Sequence, residues 1–300
     1  MKRKLSGFLF GLLFLVGFGI LAYPTIADQW NSYRQSKLIS EYDTAVSQMA
    51  EEDFEEAWIA ARAYNDSFSQ NSITSDVFGV NEAEDIRETE YWKVLNISGD
   101  GVMGYLEIPK INIKLSIYHG TSEEVLQTGV GHMNGSKLPI GGESNHSVLS
   151  AHRGLPSAKL FTDIDQLEEG DRVYLHILNE DMAYAVDRIL PMIDKDDYDA
   201  LEDAVKIEDG QDHITLFTCT PYGVNSHRLL VRGHRVPYDR ADEEPSPIAS
   251  MVRALRTYYM LYLLVGLGVT ILAILILRRR FMGDKKKETE AEHHEEEGEH

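Results

Sequence analysis

Cys219 is the only cysteine in the 300-residue chain, and it ends a strand-like run that begins at His213. The residues Thr220-Pro221-Tyr222-Gly223 interrupt this run, because proline and glycine commonly terminate strands. A second strand-like run starts at Arg228, nine positions after the cysteine. The sequence therefore predicts a thiol and a guanidinium that face each other across a loop, in one cleft.

His152 supplies a third chemical group, at the end of the strand-like run Ser147 to His152. A lone cysteine is more often a small buried hydrophobic residue than a nucleophile. It becomes a nucleophile at neutral pH when a base or a cation lies beside it. Cys219, His152 and Arg228 at three strand ends therefore predict an acyl-transfer site.

Other side chains could serve the same site. His227 and His234 flank Arg228 and could compete with His152 as the base, but we expect them to face solvent or the sheet edge. Glu107 and Asp165 are candidate carboxylates for orienting His152. The remaining histidines show no tight ligand pairing, so we assign no metal site and no cofactor.

The segment Thr215-Leu216-Phe217-Thr218-Cys219 resembles the TLxTC signature of the sortases, which is followed by an arginine in the next strand. The longer match resembles the pilus-assembling class, class C, over roughly residues 30 to 277. Its other matching segments are Tyr118 to Ser122, Gly129 to His132, Leu138 to Gly142, Ala151 to Pro156, Leu160 to Asp163 and Cys219 to Arg235.

The resemblance implies a cysteine transpeptidase that acts on pilin subunits. In this interpretation Cys219 attacks an LPxTG-like sorting signal and forms a thioester, and a pilin lysine then resolves the thioester into an isopeptide bond. His152 would act as general acid and base, and Arg228 would hold the substrate carbonyl or the oxyanion. The alternatives are a housekeeping sortase that anchors proteins to the cell wall, a thiol protease, and an inactive scaffold that only binds pilins.

Class C sortases carry a lid with an Asp-Pro-aromatic motif, and this chain has Asp76-Val77-Phe78 in the corresponding stretch. Valine replaces the proline, which removes a fixed φ. We expect Asp76 to pair with Arg228 and Phe78 to cover Cys219. A partly exposed ion pair contributes only about 0–1 kcal/mol, and covering one phenylalanine about 1.5–3 kcal/mol, so the ring should contribute more. The other interpretation is an ordinary surface loop.

From Gly101 onward, short apolar runs alternate with turn signals, which favours a mainly β fold and a closed antiparallel or mixed barrel. The resemblance implies an eight-stranded sortase-type barrel. The predicted strands are Met103–Ile108, Lys114–Tyr118, Ser147–His152, Arg172–Leu178, Ala183–Ile189, His213–Cys219 and Arg228–Val236. Short helices are predicted at Glu123–Thr128, Ala158–Ile164 and Tyr198–Val205, and residues 29–65 are predicted to be helical, with Ile39, Tyr42, Val46 and Met49 on one apolar face.

Two uncharged apolar runs are long enough to cross a membrane, 23 residues between Lys4 and Asp28 and 21 between Arg256 and Arg278. Basic residues lie at the end of each run that is nearer the chain terminus, Lys2 to Lys4 before the first run and Arg278 to Arg280 after the second. This pattern predicts that both termini are in the cytoplasm and that the catalytic domain is outside the cell. The first run could instead be a signal peptide cleaved after Ala27. The formal net charge of −20 argues against a nucleic-acid partner.

These patterns divide the chain into seven parts. They are a basic end with a spanning helix (1–27), a helical segment (28–65), a lid segment (66–100), a catalytic barrel (101–238), a linker (239–256), a second spanning helix (257–277) and a charged cytoplasmic tail (278–300).

Overall fold

A computed structural model describes residues 2–72, 76, 78, 86–240, 251, 262–268, 270, 271 and 274, without the side chains of residues 2–12, 14 and 15. The chain divides into two compact units, Met1–Ala249 and Ser250–His300. In the second unit the described residues are helical. The predicted tail (278–300) and most of the predicted linker (239–256) lie outside the described residues.

The first unit contains helices and a β-barrel. The helices are α1 (Lys2–Ser47), α2 (Glu51–Asp66), α3 (Glu90–Lys93), α4 (Glu123–Thr128) and α5 (Tyr198–Ala204), with 3₁₀ turns at Ile86–Glu88, Pro109–Ile111 and Ile164–Gln166. The strands are β1 (Val102–Ile108), β2 (Ile113–His119), β3 (Val130–His132), β4 (Asn145–Ser150), β5 (Arg172–Ile177), β6 (Glu180–Asp194), β7 (Asp212–Thr220) and β8 (His227–Val236).

The eight strands close into a barrel in the order β1-β2-β3-β4-β7-β8-β6-β5, with β5 pairing back onto β1. The pairs β2–β3 and β4–β7 are parallel, and the other pairs are antiparallel. Alternating inward side chains, among them Met103, Leu106 and Leu216, fill the interior. This confirms the prediction of a mainly β, closed eight-stranded barrel with short helices.

The strand that the alternation did not reveal is β3. It has only three residues, and its central residue is Gly131. A Cβ at Gly131 would lie 2.3 Å from the carbonyl oxygen of Gly120, so the close approach of these two backbones requires glycine. A run this short, with a glycine inside it, has no recognisable period of two.

The predicted helical character of residues 29–65 is confirmed apart from a break at residues 48–50, since α1 ends at Ser47 and α2 begins at Glu51. Two further local predictions were wrong. The helix predicted at Ala158–Ile164 is a turn, since Leu160 has a φ of +39°, which no α-helix accommodates. The strand predicted to reach His152 ends at Ser150.

Within the part of the chain that the structure describes, none of the helices combines the length and the apolar character that crossing a membrane requires. Most of the second apolar run (257–277) lies outside that part. The two flanking spanning helices therefore stay a prediction.

The helix α1 packs on the barrel through the face that the sequence predicts to be apolar. Ile39 and Tyr42 are buried. The hydroxyl of Tyr42 donates to the carbonyl oxygen of Met103 (3.1 Å) and accepts from the backbone N–H of Leu178 (2.8 Å). Gln35 adds two further hydrogen bonds: it accepts from the backbone N–H of Ser116 (2.8 Å) and donates to the carbonyl oxygen of Thr128 (2.6 Å). These contacts attach α1 to the backbone of the barrel.

Candidate active site

Cys219 and Arg228 are directly opposite each other in the β7–β8 hairpin. Cys219 is the penultimate residue of β7, and Arg228 is the second residue of β8. They are paired in the antiparallel register. The loop between them contains the predicted breakers Pro221 and Gly223. The structure thus brings the thiol and the guanidinium together as the strand pattern predicts.

His152 reaches the same level through a parallel strand pair. In the register of β4 with β7, Ser150 is opposite Phe217, and the N–H of Ala151 continues the pairing by donating to the carbonyl of Phe217 (3.2 Å). Continued by two residues beyond the Ser150–Phe217 pair, this parallel register places His152 beside Cys219. The predicted catalytic residues therefore meet at one end of the barrel.

Thr218 connects the end of β7 to the segment that follows β4, next to both Cys219 and His152. Its buried hydroxyl donates to the carbonyl oxygen of Ala151 at 2.7 Å. The residues bonded here are the immediate chain neighbours of the histidine and the cysteine. Sequence reasoning treated Thr218 only as part of a signature, and the structure shows that it connects the two strand ends.

The thiol of Cys219 is protonated at neutral pH in this arrangement. Cys219 is only 4% exposed. Burial raises its pKa to about 11, the charge of Arg228 acts in the opposite direction, and the carboxylate of Asp76 raises it further. The described conformation therefore disfavours the thiolate, which is the nucleophilic form.

Arg228 is held by a fork of hydrogen bonds. Its Nη1 donates to the carbonyl oxygens of Asn225 (2.9 Å) and His227 (2.7 Å). Its Nε donates to Oδ1 of Asp76 at 2.9 Å, and Nη2 donates to Oδ2 of the same carboxylate. The side chain of Arg228 is 2% exposed and that of Asp76 is 16% exposed. This bidentate ion pair lies away from solvent and occupies the donors that a substrate oxygen would need.

The ring of Phe78 packs against His152 and Arg228, two of the three predicted catalytic residues. Its ring centroid lies 5.4 Å from that of His152 and 6.0 Å from that of Phe217. The guanidinium carbon of Arg228 lies 5.3 Å from the same ring. Phe78 therefore packs against the side chains that surround Cys219. Val77, which stands between these two residues of the motif, lies outside the described residues.

The two ends of the lid segment (66–100) are attached to the barrel by buried polar groups. On one side, Asn71 donates to the carbonyl oxygens of His146 and Val205, both at 2.8 Å. On the other side, the hydroxyl of Tyr91 contacts Nδ1 of His132 at 2.8 Å. Asn71 lies among polar residues, which indicates an exposed loop, but the structure buries its side chain as an anchor.

The carboxylate in contact with His152 is Glu123, which the sequence analysis did not consider. Its Oε2 lies 3.3 Å from Nε2 of His152. Of the two carboxylates proposed for this role, Glu107 instead pairs with Lys114 (3.2 Å) and Asp165 with an arginine. Glu123 opens the short helix α4, which lies between β2 and β3, and nothing in the local sequence indicates this distant contact.

The two competing histidines have other neighbours. Nδ1 of His227 is hydrogen-bonded to the hydroxyl of Ser226 at 2.8 Å. His234 lies 3.9 Å from Asp187 and is opposite Ala185 of β6 and His213 of β7, at the end of the β7–β8 hairpin that is remote from Cys219.

His227 is opposite Thr220, one position from the Cys219–Arg228 pair, so the alternation of side chains along a strand directs it to the other face of the sheet. Of these three histidines, His152 is the one that the parallel register brings beside Cys219.

Comparison with known proteins shows which proteins the chain is similar to. Residues 106–236 match the family model described as Sortase domain. Sortase A of Bacillus anthracis is 26% identical over 237 residues, which cover 78% of this chain and 96% of that protein.

Solved structures are more similar. The crystal structure of sortase C1 from Streptococcus agalactiae is 49% identical, with a TM-score of 0.59, and the match covers 68% of this chain and 100% of that one. A Streptococcus pneumoniae sortase C, whose structure was described in relation to catalysis and pilin substrate specificity, is 43% identical with a TM-score of 0.61, over 67% and 97% of the two chains.

Proposed function

The chain belongs to the sortase family, class C, and is a cysteine transpeptidase; from this premise we propose that it joins pilin subunits into a polymer. It cleaves an LPxTG-like sorting signal of one pilin and transfers the acyl group to a lysine amine of another. The pilin substrate specificity ascribed to the similar Streptococcus pneumoniae enzyme supports this substrate class.

The observation that carries the proposal is the meeting of Cys219, His152 and Arg228 at one end of the barrel. In the first step, the sulfur of Cys219 attacks the carbonyl carbon of the signal's threonine. The amide bond to the next residue breaks and a thioester forms, while the imidazole of His152 takes the proton of the thiol and gives it to the leaving amine. Arg228 donates hydrogen bonds to the oxygen on which negative charge develops.

In the second step, the lysine amine attacks the thioester carbonyl and the carbon–sulfur bond breaks. His152 accepts one proton from the lysine nitrogen and the leaving sulfur takes another, so the thiol of Cys219 is restored. One amide bond is exchanged for another, so the reaction needs no external energy source. The rigid fork of Arg228 suits the oxyanion better than the single point charge of a lysine would.

We propose that residues 66–100 act as a lid, with Asp76 and Phe78 as its inner contacts. Asp76 engages the guanidinium that the substrate oxygen requires. Phe78 lies over the imidazole and the same guanidinium. The substrate must displace both side chains, after which the pKa of Cys219 falls because burial and the carboxylate charge are removed.

We also propose a multi-pass protein of the cell membrane, with the catalytic domain outside the cell. The support is the two apolar runs and the basic residues on their terminal sides, Lys2 to Lys4 and Arg278 to Arg280. Protease added to intact cells should remove the barrel and spare the tail. Surface labelling of residues after Asp284 would contradict this topology.

The proposal is tested by incubating the full-length chain, in detergent, with a pilin that carries an LPxTG-like signal. We expect ladders of covalent pilin oligomers and, with a signal peptide alone, a thioester adduct on Cys219 detected by mass spectrometry. Cys219→Ala should form neither product, because the chain has no second thiol. Ladders that persist in this variant would refute the assignment.

A further inference from the structure

We propose that Glu123 binds the ammonium group of the incoming lysine and so favours an amine over water as the second nucleophile. The inference rests on the proposed function, because it concerns the acceptor in the second step. It assigns a role to a residue that the cysteine, histidine and arginine chemistry leaves unused.

The position of Glu123 is the first argument. Its Oε2 lies 3.3 Å from Nε2 of His152, and its Oε1 accepts a hydrogen bond from Nε2 of Gln127 at 2.7 Å. The side chain of Glu123 is 58% exposed, whereas that of His152 is 17% exposed. The carboxylate is thus oriented from two sides, yet an arriving cation can still reach it.

The surroundings of Glu123 are the second argument. It lines a cavity of about 700 Å³ together with residues of α1, α3 and α4. The cavity lining includes three carboxylates and two guanidiniums, namely Asp100, Glu123, Glu124, Arg34 and Arg87. His119 also lines it, and burial lowers the pKa of this imidazole, so it adds no charge at neutral pH. The lining therefore has a negative balance, and one of its carboxylates contacts His152.

The chemistry of the acceptor is the third argument. A lysine amine is an ammonium ion at neutral pH, with an ordinary pKa near 10.4, and cannot attack before it loses a proton. Glu123 attracts the ammonium to the imidazole that accepts this proton. The neutral amine then attacks the thioester carbonyl, the carbon–sulfur bond breaks, and the second proton leaves with the sulfur of Cys219 as the thiol. Water carries no charge and gains nothing from Glu123.

A purely positioning role for Glu123 makes a different prediction. If the carboxylate only oriented His152, its loss would slow every reaction that uses the imidazole, hydrolysis included. If it binds the ammonium, its loss should affect charged acceptors alone. The charge of the acceptor therefore separates the two roles.

The experiment follows the fate of the acyl-enzyme formed by the full-length chain and an LPxTG peptide, with three acceptors. These are a lysine-containing pilin peptide, hydroxylamine, which is uncharged at neutral pH, and water. For Glu123→Gln we expect kcat/KM for the lysine acceptor to fall about threefold to tenfold, mainly through KM. The rates of transfer to hydroxylamine and of hydrolysis should stay within about twofold of the wild-type rates.

Glu124→Gln is the matched control, since it removes the same charge from the same cavity one residue further along. We expect it to have a smaller effect on lysine transfer. Equal losses for all three acceptors, no loss for lysine, or equal losses in both variants would each overturn the inference. A wild-type chain that cleaves the signal but never transfers it to lysine would instead refute the proposed function.

Discussion

The ion pair between Asp76 and Arg228 should close the lid more strongly than the ring of Phe78. From the sequence, an exposed pair would contribute less than the ring. The structure places the guanidinium at 2% exposure and joins it to the carboxylate by two hydrogen bonds. Hydrogen bonds to charged groups in such surroundings contribute about 1.5–3 kcal/mol, and removing one partner leaves the other charge buried without compensation.

The magnitudes predict the order of the two variants. Losing about 2–3 kcal/mol of closing free energy in Asp76→Ala should raise the open population about 30- to 150-fold. Phe78 is half-buried, so Phe78→Ala should cost about 1–2 kcal/mol, or roughly fivefold to 30-fold. Asp76→Ala also removes a charge that raises the pKa of Cys219, which further increases the thiolate fraction.

The assay is the rate at which a bulky thiol reagent modifies Cys219, the only cysteine of the chain, followed by mass spectrometry over a range of pH. We expect faster modification in both variants, more so in Asp76→Ala, and an apparent pKa below the resting value of about 11. Asp66→Ala, at an exposed position, is the control and should leave the rate unchanged.

Two results would refute this reasoning. If neither variant changes the rate of modification, residues 66–100 are an ordinary surface loop and the lid proposal fails. If only Phe78→Ala increases the rate, the ring closes the site and the argument from the burial of Arg228 is wrong.

Three further predictions concern the strand ends. Arg228→Lys should reduce the rate of ladder formation by about 100-fold or more, because one ammonium cannot reproduce the directed donors of the guanidinium; near-normal ladders would contradict this. Thr218→Val should lower the free energy of unfolding in urea by about 1–3 kcal/mol, since it leaves the carbonyl of Ala151 without its donor, whereas Thr218→Ser should restore most of it. Between about pH 9 and 11 the native chain keeps the Cys219 proton that the unfolded chain loses, so the free energy of unfolding should fall as pH rises, by at most about 2–3 kcal/mol. Cys219→Ala should lack this part of the decline, and identical pH curves for the two proteins would show that the thiol is not buried.

The catalytic hairpin could be predicted from the sequence because its information is local. A β-branched run, the breakers Pro221 and Gly223, and a second run at Arg228 determine a hairpin with few alternatives. The closeness of His152 to Cys219 depends on the parallel pairing of β4 with β7, which no local pattern encodes. The strand pattern could place His152 at a strand end, and the family resemblance then supported its role beside Cys219.

The residues that sequence reasoning missed act over long separations. Asn71 is polar and lies between polar neighbours, so its composition indicates solvent, although it bonds to backbone 75 and 134 residues away. Glu123 reaches His152 only because α4 is set between β2 and β3. The burial of the Asp76–Arg228 pair was missed for a related reason, since burial is a property of the assembled barrel.

If the first apolar run anchors α1 in the membrane, as proposed, the contact of α1 with the barrel determines where mechanical tension enters the enzyme. The hydroxyl of Tyr42 connects Met103 of β1 to Leu178, which follows β5, and these are the two strands whose pairing closes the barrel. A polymer that is attached at Cys219 and pulled from outside the cell would pull the barrel away from α1. The force would reach the β1–β5 seam through Tyr42, on a different part of the barrel from the β7–β8 hairpin that carries the thioester.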